Sequence, residues 1–197
     1  MVLNRNSLRM SFGQVAWVLS HGRTPHPSLL DQLRYLRQME VPFSEEERQG
    51  SGNRMTYRFE HLVECGLGLQ AIKRRIRPTD VATTIKTGRK ALHKLARSIY
   101  DEIDPAEFLA VNEAWRKPSY DEMEERFVWF HDRESDRPLT IEPLTIAKAT
   151  EVSQRTIFDA QRLDAALHLI PFKNCIVAWV GRALIAPVIK PGRPAKD

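Results

Sequence analysis

Residues 33–62 read LRYLRQMEVPFSEEERQGSGNRMTYRFEHL, and the fold turns on how this stretch is read. Leu33-Arg34-Tyr35-Leu36-Arg37-Gln38-Met39 has the pattern of a basic amphipathic helix, and Pro42 ends it. A polar, hairpin-like segment follows, with Gly50-Ser51-Gly52-Asn53 at its tip. Arg54-Met55-Thr56-Tyr57-Arg58-Phe59 returns the chain, and a new helix is expected near Glu60. Helix, glycine-tipped hairpin, helix is the outline of a winged helix-turn-helix, with arginines placed where phosphates would lie.

Working outward, Ser11-x-x-Gln14 is a capping box that opens a short apolar helix through Val15, Ala16, Val18 and Leu19. Pro27 fits the first turn of the next helix, which sets Leu29, Leu30, Leu33, Leu36 and Met39 along one face. Downstream, Phe59, Leu62, Val63, Leu67, Leu69 and Ile72 predict a helix interrupted near Gly66 and Gly68. Lys73-Arg74-Arg75-Ile76-Arg77 is its basic exit, and Pro78-Thr79-Asp80 starts another helix. In that helix Leu92, Leu95 and Ile99 have the spacing of a homodimer seam, and equally of an ordinary core-facing stripe.

The Leu33–Leu62 stretch resembles the DNA-binding domain of the MerR family of transcription regulators. Leu33-Arg34-Tyr35 match the end of that family's recognition helix, and Leu36 takes the place of a second tyrosine. Val41-Pro42 match the exit, and Tyr57 stands five residues before Leu62, at the last wing tyrosine. Arg54-Met55 replace the wing's Tyr-Arg pair, the loop before the recognition helix is longer, and the cysteines of the metal-sensing members have no counterparts. The resemblance covers residues 11–85 and implies a DNA-binding regulator.

The physical reading points the same way. A helix fits the major groove, and its leading polar residues Ser28, Asp31 and Gln32 can meet base edges. Arg34, Tyr35, Arg37, Arg54 and Arg58 suit phosphate contacts, as do Arg23 and Tyr57 beside them. Opposed to this stands the plain reading, in which Tyr35 and Tyr57 are core aromatics and the arginines a solvated face. Residues 1–100 carry 17 Lys and Arg against 8 Asp and Glu, whereas residues 101–197 carry 13 against 17. Double-stranded DNA suits the first half; the acidic stretch 101–125 suits a protein partner or a solvated surface.

The second half predicts an α+β unit, so the expected class is mainly α with small β elements. The expected division is 1–104 for the winged helix-turn-helix with a dimerisation helix, 105–189 for a regulatory or interaction domain, and 190–197 for a basic tail. Asp104-Pro105-x-Glu107 caps one helix and Ser119-x-x-Glu122 another. Phe127–Phe130 and Leu139–Ile141 predict strands around a polar turn. Leu144–Ile157 resembles a second helix-turn-helix in a helical segment 144–168, with Gln154, Arg155 and Thr156 leading its recognition helix. Cys175–Ile189 is either two buried strands or a buried helix, and too short to span a membrane. Pro191-Gly192-Arg193-Pro194 is similar to an AT-hook core, with Arg193 suited to a narrow minor groove.

Enzyme chemistry finds no foothold. The six histidines form no metal-ligand spacing, and there is no phosphate-binding glycine loop and no nucleophile elbow, so neither metal nor cofactor is expected. Two widely separated cysteines and no secretory signal lead to the expectation of a reducing cytoplasm. A regulator reading one or two palindromic sites is the expected function. The alternatives are an architectural, excisionase-type DNA binder and a protein–protein adaptor working through the acidic half.

Overall fold

A computed structural model describes residues 5–48, 55–110, 126–131, 140–145 and 169–187. Its organising element is a helix that is apolar nearly all the way round, and such a helix is stable only when other elements enclose it. This is α4, Phe59–Lys73, in which residues 61–69 are all buried. Around it lie α1 (Phe12–Leu19), α2 (Pro27–Gln38), the one-turn α3 (Glu45–Arg48), α5 (Pro78–Glu102) and α6 (Pro105–Ala110). Three strands follow, β1 (Arg126–His131), β2 (Thr140–Thr145) and β3 (Leu169–Pro171), and then α7 (Phe172–Ile185). The chain is thus mainly helical.

The sequence predicts a break in α4 at its glycines, but the helix runs through both. Their role is close approach. A Cβ on Gly66 would lie 2.5–2.7 Å from carbons of the Trp179 indole, and one on Gly68 would lie 2.9 Å from Leu36 Cδ1. Glycine costs a helix interior about 1 kcal/mol relative to alanine. Here that cost is offset by seating α7 on one side of the helix and α2 on another.

The capping box on α1 forms as expected: the Gln14 N–H donates to Ser11 Oγ at 3.2 Å and the Ser11 N–H to Gln14 Oε1 at 2.9 Å. Just before it, Met10 and Tyr57 exchange backbone hydrogen bonds of 2.9 and 2.8 Å, tying the entry of α1 to the entry of α4. Helix α2 starts at Pro27, buries Leu33 and Leu36, and ends at Glu40 in the left-handed region (φ 65°). A one-turn helix follows where the sequence suggested only a hairpin arm. Ser44 and Glu47 cap it reciprocally, with bonds of 2.9 and 3.3 Å.

Helix α5 lies along α4 with Val81, Ala82, Ile85, Leu92, Ala96 and Ile99 inside. Of the two readings of Leu92, Leu95 and Ile99, the core-facing stripe holds for Leu92 and Ile99, while Leu95 is half-buried. Leu92 is 2 % exposed and Ile99 not at all, so both side chains are buried within their own subunit. Their spacing reflects the stripe that faces α4. Tyr100 at the end of α5 meets Phe59 edge-on at 5.1 Å and stacks on Phe108 of α6 at 5.1 Å.

The strands expected around residues 127–130 and 139–141 are β1 and β2, paired antiparallel with Val128 opposite Pro143. The sheet order is β2-β1-β3, which puts Pro143 on an edge strand, where a residue lacking an N–H is tolerated. The ambiguous run from Cys175 resolves as a helix, α7, with Phe172, Ile176, Val177, Trp179 and Val180 buried at helical spacing. That helix packs on α1, α4, α5 and α6, and one apolar core runs from Leu8 to Val180. Residue 104, the expected boundary, lies between α5 and α6, whose described residues share this core. The described residues contain no helix long and apolar enough to cross a membrane.

Leu144 and Thr145 belong to β2, not to a helix. The rest of the second helix-turn-helix candidate, with Gln154, Arg155 and Thr156, lies outside the described residues. So do Gly50–Arg54, most of the acidic stretch 101–125 and the tail with Arg193.

The close approach at Gly66 is testable. Gly66→Ala overpacks the contact with Trp179, and overpacking of this kind costs about 1–3 kcal/mol against a helix-propensity gain of roughly 1. We expect a lower urea midpoint in the variant, and partial recovery when Trp179→Leu is added. A midpoint at or above wild type would contradict this packing.

Candidate nucleic-acid interface

Helix α2 has two chemically distinct sides. Leu33 and Leu36 point into the core, and Ser28, Asp31, Arg34, Tyr35 and Gln38 are exposed on the opposite side. Gln32 is half-buried at the edge of that face. Tyr35 is 40 % exposed, one of two large apolar residues that reach the surface among the described residues. It is therefore not a core aromatic. The helix is anchored at its start by His26, whose Nδ1 accepts the Ser28 N–H at 3.2 Å and lies 2.8 Å from Ser28 Oγ.

The basic residues divide into two groups. Arg34 is exposed and holds Asp31 at 2.8 Å, one turn back along the helix. A surface pair of this kind contributes about 1 kcal/mol or less, so a phosphate can displace Asp31 at little cost. Arg23 and Arg58 are also exposed, in the loop before α2 and at the entry to α4. Arg37 differs from these. It is half-buried, its guanidinium lies 5.7 Å from the centre of the Phe12 ring, and its charge acts on the buried Tyr57 hydroxyl. Its expected role as a phosphate contact gives way to a tie between α1, α2 and the strand-like return.

Tyr57 requires the same correction. It is 2 % exposed, and burial pushes its hydroxyl well above the usual phenol range, with Cys65 adding to that effect and Arg37 opposing it. Its backbone bridges Met10 and its ring lies in the core, out of reach of a duplex. Phe43 packs edge-on against both Tyr57 (4.8 Å) and His61 (4.5 Å). The Arg58 N–H donates to His61 Nδ1 at 3.3 Å, which leaves the ring proton on Nε2 in the neutral form. That nitrogen lies 3.9 Å from Glu47 of α3.

The loop before α2 sits in a positive field. His21 is held below the usual histidine range, first by burial and then by Arg182, Lys73 and Arg23. Lys73 belongs to a basic run visible in the sequence, but Arg182, in an apolar helix more than a hundred residues on, gives no such signal. Also missed are Glu40, Glu64, Lys86, Arg89 and His93, which join α2, α4 and α5. The one clue was Glu64, a lone acid inside the apolar run from Leu62 to Leu69. Among the described residues no group of three or more His, Cys, Asp or Glu could hold a metal ion.

The histidines give a pH prediction. Burial holds His61 below its ordinary value of 6.5, against the opposing pull of Glu47 and Glu64. The unfolded chain then binds more protons than the fold near that pH, so this contribution is present above about 6.5 and is lost as pH falls below it. His61→Gln should show a smaller drop in denaturant midpoint between pH 7.5 and 5.5 than wild type, with His21 supplying part of what remains. An undiminished drop would mean that His61 is not held neutral. No protein-family model, curated protein or solved structure matches this chain.

Proposed function

We propose that the chain is a DNA-binding regulator that lays the exposed face of α2 in the major groove and rests on the flanking phosphates through arginines before and after it. One observation carries this reading. An amphipathic helix is fixed by its apolar side to a rigid core, while the opposite side offers Ser28, Asp31, Arg34, Tyr35 and Gln38 to solvent. The surplus of Lys and Arg in residues 1–100 supports it, since phosphate neutralisation supplies much of a protein's affinity for duplex DNA.

In this account α1 and α2 form the helix-turn-helix, and residues 41–58 form the wing expected from the MerR resemblance. Val41, Phe43 and Tyr57 root that segment in the core. Ser28, Gln32 and Gln38 face base edges; Arg23, Arg34 and Arg58 face phosphates, with Arg54, outside the described residues, as a further candidate; Tyr35 adds contact area beside Arg34. A homodimer would read two half-sites one helical turn apart. Its seam would have to form elsewhere than Leu92 and Ile99, which the core already covers. An adaptor working through the acidic half would show no steep loss of duplex binding with salt, which separates the two classes.

The test is a titration of the full chain against sheared genomic duplex at several salt concentrations. Wild type should lose affinity steeply with salt. Arg34→Ala should bind more weakly to all sequences, with the salt slope reduced by about one. Unchanged affinity in a folded Arg34→Ala protein would remove α2 from the interface.

A further inference from the structure

The exit of α2 is where a recognition helix would hand over to a wing, and it is held from outside its own segment. The last turn closes with Met39 N–H donating to Tyr35 at 3.1 Å, Glu40 N–H to Arg37 at 3.2 Å and Val41 N–H to Leu36 at 2.9 Å. Glu40 is left-handed, a conformation uncommon for a non-glycine residue but frequent just past a helix end, where the Val41 to Leu36 bond closes the turn. Two contacts from α5 add to this local closure. Arg89 Nη2 donates to the Glu40 carbonyl at 2.6 Å, and Lys86 Nζ reaches the Glu40 carboxylate at 2.8 Å.

The same guanidinium faces a second partner. Arg89 Nε and Nη2 donate to the two oxygens of Glu64, at 2.8 and 3.0 Å, and Glu64 is fully buried in α4. His93 Nε2 lies 2.6 Å from Glu64 Oε1. The fork of Arg89 therefore ties α2's exit, α4 and α5 together through one side chain. Lysine's three donors all sit on one nitrogen, so it lacks the planar fork that grips both partners here. Arg89 and His93 together satisfy the carboxylate without the bond to Glu40, so that bond answers a different need. Buried ion pairs are weak evidence for stability, and fixing a register is their best-attested use.

We infer that Arg89 is a positioning residue: by gripping the Glu40 carbonyl from the buried Glu64 pair, it sets the angle at which α2 passes into the wing. The inference rests on the DNA-binding reading above. Bases and flanking phosphates can be met together only if helix and wing keep one fixed spacing, and holding that spacing before binding saves its cost on binding. Arg89 itself need not touch the duplex.

The experiment uses the full chain, Arg89→Lys, and the double variant Glu64→Met/Arg89→Met. The double variant removes both charges together and leaves no buried carboxylate unpaired, so we expect it to fold. The first measurement is deuterium exchange at the amides of residues 39–41 against those of 65–69. The second is affinity for a duplex selected from a random pool by the wild-type chain, against a scrambled duplex of the same composition. In both variants exchange at 39–41 should rise about tenfold with 65–69 unchanged, since local opening at one end leaves the core intact. Preference for the selected duplex should fall about tenfold, with affinity for the scrambled duplex and its salt slope unaltered. Unchanged exchange or unchanged preference overturns the inference. A salt slope reduced by about one also overturns it, because Arg89 would then be a phosphate contact. If wild type selects no duplex, the DNA reading fails by itself, and exchange alone decides whether Arg89 anchors the exit of α2.

Discussion

The close seating of two helices on the glycines of α4 is the constraint on which the rest of this structure depends. Gly68 admits Leu36, and Gly66 admits the Trp179 indole, at distances a side chain would forbid. Because Leu36 is fixed there, the residues on the other side of α2 have no choice but to face solvent, Arg34 and Tyr35 among them. The polar face that the proposed function uses is thus a consequence of packing on the opposite face. Trp179 comes from the far end of the chain, so α7 completes the core on which α2 rests.

Electrostatics adds direction to this packing. A carboxylate as buried as Glu64 would cost several kcal/mol if left unpaired. Arg89 and His93 supply the compensation, and the reach of Arg89 to the Glu40 carbonyl extends it to the end of α2. A second pair, Glu60 with Arg97 at 2.8 Å, links α4 to α5 one turn earlier. Burial would raise the Glu60 carboxyl, but its own backbone N–H, Arg97 and His93 hold it below the usual carboxylate range. At the amino-terminal side Arg5 pairs with Asp101 at the end of α5. The basic surplus of residues 1–100 is therefore partly neutralised internally; Arg23 and Arg58 remain exposed, as does Arg34 with its pair Asp31.

Much of this was legible in the sequence because it is local. The Ser11–Gln14 box, Pro27 at the start of α2, Pro78 at the start of α5 and the strands expected near residues 127–130 and 139–141 all rest on short-range rules, and all are found, although the second strand runs on to Thr145, where a helix was expected. What sequence patterns could not supply was which neighbour a residue meets. Glycines within α4 look like breaks until Trp179 and Leu36 are seen to need the space. Leu92 and Ile99 fit a dimer seam and an intramolecular stripe equally well, and only the position of α4 decides. Tyr57 keeps a wing-like spacing to Leu62, yet its ring lies in the core. The run from Cys175 carried no periodic signal to separate strand from helix, because it is apolar on nearly every side. The ion-pair network spans residues 40, 64 and 89, separations at which no local motif exists.

The central claim is that the exposed face of α2 meets DNA bases while the outer face of α5 does not. Photo-crosslinking from single positions tests it most directly. A benzophenone amino acid replaces Gln38 on α2 in one full-length protein and Lys90 on α5 in another, both sites being exposed. Each is irradiated with sheared genomic duplex. Crosslinks to bases from position 38, and none from position 90, are the result this account requires. Crosslinks from position 90 alone, or from neither site under conditions where the protein binds duplex, would contradict it.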